Sequence, residues 1–269
     1  MVPRIDDIVE NMSQKSVTKA VQIGCDIETS EQAIALARRF PRIFYATVGH
    51  HPETAQNQEI WDSQKEICEF EKLVAENREF VVAIGETGFD HHYLDGTDGG
   101  NVAIDMSSLT PLALAQIENQ KRWWILQWEL ANRYDLPLVI HTRDARDATA
   151  DFMIENNINR AVIHCYSEDP AFAQKLMDFS DEIYFAFGGI LTYKKSEQVQ
   201  STAQMLPLNR ILLETDAPFL SPQAVRGTVN EPSNTRYVLE KLIELRTESA
   251  EEIERVIYEN SLRFYGIKI

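Results

Sequence analysis

The sequence predicts an α/β protein, a parallel sheet whose strands alternate with helices that cover it. Three observations carry that prediction. Short apolar runs rich in β-branched and aromatic residues recur along the whole chain. Each is followed by a polar loop and then by a helical pattern. The runs are apolar throughout rather than alternating, as strands buried on both faces are. The 269 residues suit one domain spanning 1–269, and no Pro/Ser-rich linker or charge block divides it.

Taken in order, strands are expected at Ala20–Gly24, Ile43–Val48, Phe80–Ile84, Leu138–Ile140, Ala161–Ile163, Ile183–Phe187 and Ile211–Leu213. A helical stretch at Ile5–Lys15 precedes them. Further helices are expected at Ser30–Phe40, Asn57–Glu76, Leu112–Tyr134, Ala145–Asn156, Pro170–Phe179, Ser196–Met205, Pro232–Arg246 and Ser249–Tyr265. Cap signals mark several starts, among them Thr29-Ser30 before Glu31, and Ser249 with Glu252 three residues on. Asp26, before Ile27-Glu-Thr-Ser30, reads as a capping or turn residue. The count is seven strands, whereas a closed β/α barrel needs eight, and none precedes Ile5. The first strand is therefore expected to be missing from this chain.

Hydrophobic residues make up 44% and charged residues 25%, enough apolar material for a sizeable core. With 26 basic and 42 acidic side chains the net charge is −16, which repels polyanions at long range. Any nucleic-acid contact must then be local, through a metal or a small basic patch. Cys25, Cys68 and Cys165 form no CxxC pair, so neither a disulfide framework nor a thiolate zinc site is expected, and a reducing cytoplasm is. The N-terminus has no apolar leader and no run of about 18 apolar residues occurs, so neither secretion by that route nor membrane spanning is expected.

In parallel α/β architectures ligands bind at the C-terminal ends of the strands. The residues at those ends are Asp26, His50-His51-Pro52, Glu86, His141, His164 and Asp216. Four of the six histidines end strands, and His91 and His92 follow Glu86. Two imidazoles and two carboxylates at the ends of different strands form a set that accepts Zn²⁺, Mn²⁺ or a similar divalent ion, which points to metal-assisted hydrolysis.

Six blocks carry a resemblance: Gly49-His-His-Pro52, Ile84-Gly-Glu-Thr-Gly-Phe-Asp90, Ile140-His-Thr-Arg-Asp-Ala145, His164-Cys-Tyr-Ser167, Leu212-Leu-Glu-Thr-Asp-Ala-Pro218 and Arg226-Gly-Thr-Val-Asn-Glu-Pro232. In order, they resemble the signature blocks of the TatD metal-dependent hydrolases, distorted TIM barrels of the amidohydrolase-like superfamily. The resemblance runs from about Ile5 to Asn260-Ser-Leu-Arg-Phe-Tyr-Gly266. It implies a two-metal phosphodiesterase using Mg²⁺, Mn²⁺ or Zn²⁺. Glu86 would bridge both ions, His141 and His164 would hold one, and Asp216 would ligate the other and orient or deprotonate water. His51, Arg143 and Arg226 would meet the substrate, the two guanidiniums as phosphate clamps.

One departure stands beside the match. Family members begin with a strand ending in His-x-His, and this sequence has none. The remaining Glu86, His141, His164 and Asp216 suffice for one divalent site, and a second is in question. Three accounts stay open: the chain begins inside a longer gene, it is a degenerate paralogue, or His50, His91 or His92 replaces the lost pair.

Other residues have blander readings. Glu214, two before Asp216 and on the same strand face, is read as a carboxylate that fixes a ligand histidine. Trp123, Trp124 and Trp128 read as helix–sheet packing, and Cys165 as buried packing. Asp95–Ser108 reads as a rim loop whose spacing does not fit a calcium loop. Together these readings give a hydrolase, a deoxyribonuclease or phosphodiesterase with DNA or another phosphate ester as a transient partner. Ester or amide hydrolysis, such as D-aminoacyl-tRNA deacylation, and a non-catalytic paralogue are the alternatives.

Overall fold

Apolar runs pair into parallel strands because their backbone groups must find partners once the side chains leave water. In the computed structural model, which describes residues 4–57, 60–97 and 108–268, these strands are β1 (Ala20–Gln22), β2 (Phe44–Val48), β3 (Val81–Asp90), β4 (Leu138–Arg143), β5 (Arg160–Ile163), β6 (Glu182–Phe187) and β7 (Ile211–Leu213). Strand order follows chain order from β1 to β7, and every pair with a described register is parallel. The helices are α1 (Ile5–Gln14), α2 (Ile27–Arg39), α3 (Pro52–Ala55), α4 (Ile60–Glu76), α5 (Pro111–Tyr134), α6 (Arg146–Glu155), α7 (Pro170–Phe179), α8 (Glu197–Met205), α9 (Thr235–Leu245) and α10 (Ala250–Phe264). Residues 98–107, which include Asp98, Gly99, Gly100 and Asp105 of the expected rim loop, lie outside the described residues. Among the described residues no helix is long and apolar enough to cross a membrane.

The chain divides into two compact units, Val21–Val162, and Met1–Ala20 with Ile163–Ile269. In the first, Ala46, Val48, Ile84, Leu138 and Ile140 bury the strands, and Trp123 and Trp124 of α5 are fully enclosed, as packing residues should be. In the second, Tyr166 sits between Phe172, Phe185 and Phe187 at ring distances of 5.4 to 6.2 Å. Here α1 is tied to the segment before α9, since Asn11 Nδ2 donates to Glu231 Oε2 (3.0 Å) and Lys15 Nζ to Asn234 Oδ1 (3.1 Å).

Two expectations need correction. Helix α2 starts at Ile27, not at Ser30, because Asp26 caps it: the Thr29 amide donates to Asp26 Oδ1 at 2.7 Å, and the Asp26 amide to Thr29 Oγ1 at 3.0 Å. Strand β3 does not stop at Ile84 but runs on to Asp90. Its register against β4 slips between Ile84↔Leu138 and Thr87↔Ile140, so one extra residue bulges at Gly85-Glu86. Gly85 and Gly88 have φ of +136° and +135°, and a Cβ on Gly88 would lie 2.1 Å from the His141 carbonyl oxygen. Only glycine allows β3 this shape and this approach to β4.

Candidate metal centre

Within Val21–Val162, the bulge aims Glu86 at the strand end and returns Asp90 to the same side. His141, on β4 beside Gly88, lies between them: its Nδ1 is 2.7 Å from Glu86 Oε1 and its Nε2 is 3.0 Å from Asp90 Oδ2. Burial alone would strip the proton from this ring, but the hydrogen bonds and charges of Asp90 and Glu86 prevail and push its pKa up to about 9. Burial likewise opposes ionisation of Asp90, yet the His141 hydrogen bond and charge, the His92 amide and Arg143 hold its carboxyl below the ordinary value.

His51 completes this group. Its backbone N–H donates to the Cys25 carbonyl (2.9 Å), and its Nδ1 accepts the Glu53 amide (3.2 Å) at the start of α3. With Nδ1 an acceptor, the neutral ring carries its proton on Nε2. That nitrogen faces His141 Nδ1 at 3.3 Å and Glu86 Oε1 at 3.7 Å. His51, Glu86 and His141 form one of two described donor groups able to hold a metal ion.

The second group lies in the other unit and comprises His164, Cys165 and Glu214. His164 Nδ1 is 2.5 Å from Glu214 Oε2, the fixing contact expected of Glu214, and His164 Nε2 is 3.6 Å from Asp216 Oδ1. Among the described residues, Glu214 Oε1 is buried and has no hydrogen-bond partner. It packs against Gly188, where an added Cβ would stand 3.1 Å away. Asp216 has φ of +54°, and the loop beyond it is pinned by Asn230, whose Nδ2 donates to the Thr215 and Phe219 carbonyls at 2.7 Å each.

The two strand-end histidines therefore share a design with opposite polarity. His141 is fixed through Nε2 by Asp90 and offers Nδ1; His164 is fixed through Nδ1 by Glu214 and offers Nε2. A carboxylate on the far nitrogen sets the tautomer and strengthens the imidazole as a donor, the arrangement that suits a metal ligand. Imidazole nitrogen with carboxylate oxygen is a donor set that fits Zn²⁺ or Mn²⁺.

The remaining histidines stand apart from both groups. His50 is 1% exposed and stacked 4.2 Å from Trp123, and burial lowers its pKa to about 4. His91 is buried, with its pKa likewise lowered to about 4, and His92 pairs with Asp144 at 2.7 Å. The guanidinium of Arg143 lies over the Tyr93 ring (5.1 Å) and that of Arg226 over Tyr193 (4.5 Å). Asp90 escaped the sequence reading, although strand alternation from Glu86 marks it. So did two buried glutamines of α5. Gln120 accepts the Asp90 N–H and donates to its carbonyl; Gln127 does the same for His50 and also donates to Thr87 Oγ1.

Against this geometry, the family described as TatD related DNase matches residues 2–266. The chain belongs to that family. It is 29% identical over 265 residues to the uncharacterized metal-dependent hydrolase YabD of Bacillus subtilis, covering 98% of this chain and 93% of YabD. It is 30% identical over 264 residues to the uncharacterized metal-dependent hydrolase TatD of Mycobacterium tuberculosis, covering 98% and 91%. The crystal structure of the TatD homologue YjjV from Escherichia coli superposes with a TM-score of 0.82 at 25% identity, covering 98% of this chain and 92% of YjjV. The protein is thus a TatD-family metal-dependent hydrolase with an α/β, TIM-barrel-like fold.

Proposed function

We propose that this TatD-family hydrolase is a phosphodiesterase, a deoxyribonuclease that acts on DNA ends or single strands. The observation that carries the reading is the pair of carboxylate-fixed strand-end histidines, each presenting its other ring nitrogen toward an acid of its own unit: Glu86 for His141, Asp216 for His164. Glu86, His141, His164 and Asp216 are the proposed ligands. A divalent ion held by Glu86 with His141, or by His164 with Asp216, would lower the pKa of water and offset charge that develops on a phosphoryl oxygen.

The chain's own groups do the rest. Asp216, with a third of its side chain exposed, meets solvent water and accepts the proton that the attacking water gives up. His51, with its Nε2–H beside Glu86, donates to a substrate oxygen. Arg143 and Arg226 are exposed and meet phosphate oxygens with paired N–H groups.

The test is hydrolysis of a 3′-labelled single-stranded oligonucleotide by the full chain with Mg²⁺ or Mn²⁺, in parallel with an aminoacyl ester. Metal-dependent nucleotide release is expected; turnover of the ester alone would replace the nuclease reading with the ester-hydrolase one. A second expected result concerns Glu214. Glu214→Ala removes the carboxylate that fixes His164, and is expected to weaken Mn²⁺ binding by about 10- to 100-fold in a calorimetric titration. Unchanged affinity would remove His164 from the ligand set.

A further inference from the structure

Just beyond the ends of β3 and β4, a histidine and an aspartate that belong to neither donor group face each other. His92 Nδ1 lies 2.7 Å from Asp144 Oδ2, and both side chains are only 13% exposed. The backbone around them is tied down without their help. The His91 N–H donates to the Arg143 carbonyl at 3.0 Å, which carries the β3–β4 pairing one step past Asp90. The His92 carbonyl accepts Thr97 Oγ1 at 3.0 Å, and the Asp95 N–H donates to Gln116 Oε1 of α5 at 2.8 Å. Asp144 holds the left-handed conformation, at φ of +53°, and in it the carboxylate meets the ring.

The pair stands between the metal centre and the substrate side of the same unit. His92 donates its backbone N–H to Asp90 Oδ1 at 2.9 Å, and the other oxygen of that carboxylate fixes His141. On the opposite side Tyr93 meets the His92 ring edge-on at 4.6 Å, and the Arg143 guanidinium lies over Tyr93 at 5.1 Å. A phosphodiester reaching from Glu86 and His141 to Arg143 is thus flanked by His92.

Asp144 takes up Nδ1, so Nε2 is the nitrogen left for chemistry, and among the described residues no hydrogen bond engages it. An imidazole with a carboxylate behind one nitrogen and the other nitrogen open is the arrangement of an acid–base group held by an orienting partner. The hydrolysis proposed above also leaves one need unmet. A sugar oxygen is a poor leaving group unless a proton reaches it as it departs.

From this we infer that His92, oriented by Asp144, is the general acid that protonates the leaving oxygen. The oxygen of water bonds to phosphorus, and the bond from phosphorus to the sugar oxygen breaks. The electron pair of that bond stays on the sugar oxygen, which takes the proton from His92 Nε2. The ring regains a proton from solvent, which balances the one that the attacking water gives up. Asp144 is a positioning residue that keeps the other ring proton on Nδ1. The inference rests on the phosphodiesterase reading and adds to it the group that serves the leaving oxygen.

The test compares two substrates that both release thymidine 5′-phosphate in Mn²⁺, the dinucleotide TpT and the p-nitrophenyl ester of thymidine 5′-phosphate. Nitrophenolate departs without a proton, whereas the sugar oxygen of TpT needs one. His92→Gln should lower kcat on TpT by about 100-fold and on the nitrophenyl ester by no more than about threefold, with KM little changed on either. Asp144→Asn should move the two substrates apart in the same direction, by about tenfold. Melting temperature and calorimetric Mn²⁺ affinity should stay at the parent values in both variants, because neither side chain is placed on the ion. A readout apart from turnover is nitrogen-edited NMR of the metal-free chain. It should place the proton of the neutral His92 ring on Nδ1, and Asp144→Asn should move it to Nε2. Equal losses on the two substrates, as a purely structural pair would give, or a neutral parent ring protonated on Nε2, overturns the assignment and leaves the phosphodiesterase reading standing. A parent chain that hydrolyses neither substrate removes the phosphodiesterase reading, and the general-acid role with it.

Discussion

Replacing Glu86 with glutamine is expected to lower metal-dependent hydrolysis by about 10³-fold, some 4 kcal/mol of transition-state stabilisation of the kind a metal site supplies. The side chain is 8% exposed at a bulge that only glycine neighbours permit, with Oε1 2.7 Å from His141 Nδ1 and 3.7 Å from His51 Nε2. Glutamine keeps the size and one acceptor oxygen, so the strand path should survive; what it loses is the negative charge. In the proposed centre that charge is what draws a cation to His141. The check has two readouts, kcat on the oligonucleotide and metal content by elemental analysis after gel filtration. Both should fall together. A variant that retains activity within tenfold of the parent would place the centre elsewhere, whatever its metal content.

Much of this was legible in the sequence for a definite reason. Strands β2, β4, β6 and β7 bury most of their residues and therefore spell out nearly continuous apolar runs. The site residues follow within three residues of those runs, which is why His51, His141, Asp216 and Glu214 were readable. Strand β3 was the exception, since Gly85, Glu86, Thr87 and Gly88 look like a break. They extend the strand because their polar and backbone groups are satisfied from outside the sheet, by Gln127 on Thr87 and Gln120 on Asp90. A buried glutamine on a helix face leaves no mark in a hydrophobic pattern, so neither the extension nor Asp90's role showed. The α2 start was missed for a related reason: in Asp26-Ile27-Glu28-Thr29 the cap and its partner are three apart, and the rival Thr29-Ser30 signal lies inside the same turn.

The metal-free chain is expected to lose stability as pH rises from about 6.5 to about 9, and His141 is the reason. Unfolded, its imidazole titrates at its ordinary 6.5; folded, between Glu86 and Asp90, it holds its proton up to about 9. A folded-state pKa above the unfolded value means that the native state binds the proton more tightly. The stabilisation is therefore complete below 6.5 and is lost as pH climbs through 9. The interval corresponds to up to about 3 kcal/mol, at 1.36 kcal/mol for each pH decade. Asp90 works in the opposite direction: its lowered pKa adds stability above the ordinary carboxyl range, and that contribution disappears in acid. The groups that face the ring are Glu86 and Asp90 from β3 and His51 from the loop after β2, and the two carboxylates prevail. In EDTA the melting temperature should drop by roughly 5–10 °C between pH 6 and pH 9.5. His141→Gln should flatten that profile. Saturating divalent ion should flatten it too, because an ion at Nδ1 takes the place of the proton, and its binding at pH 7 should release about one proton to the buffer. Parallel profiles for the parent chain and His141→Gln would mean that the ring is not the charged bridge between Glu86 and Asp90.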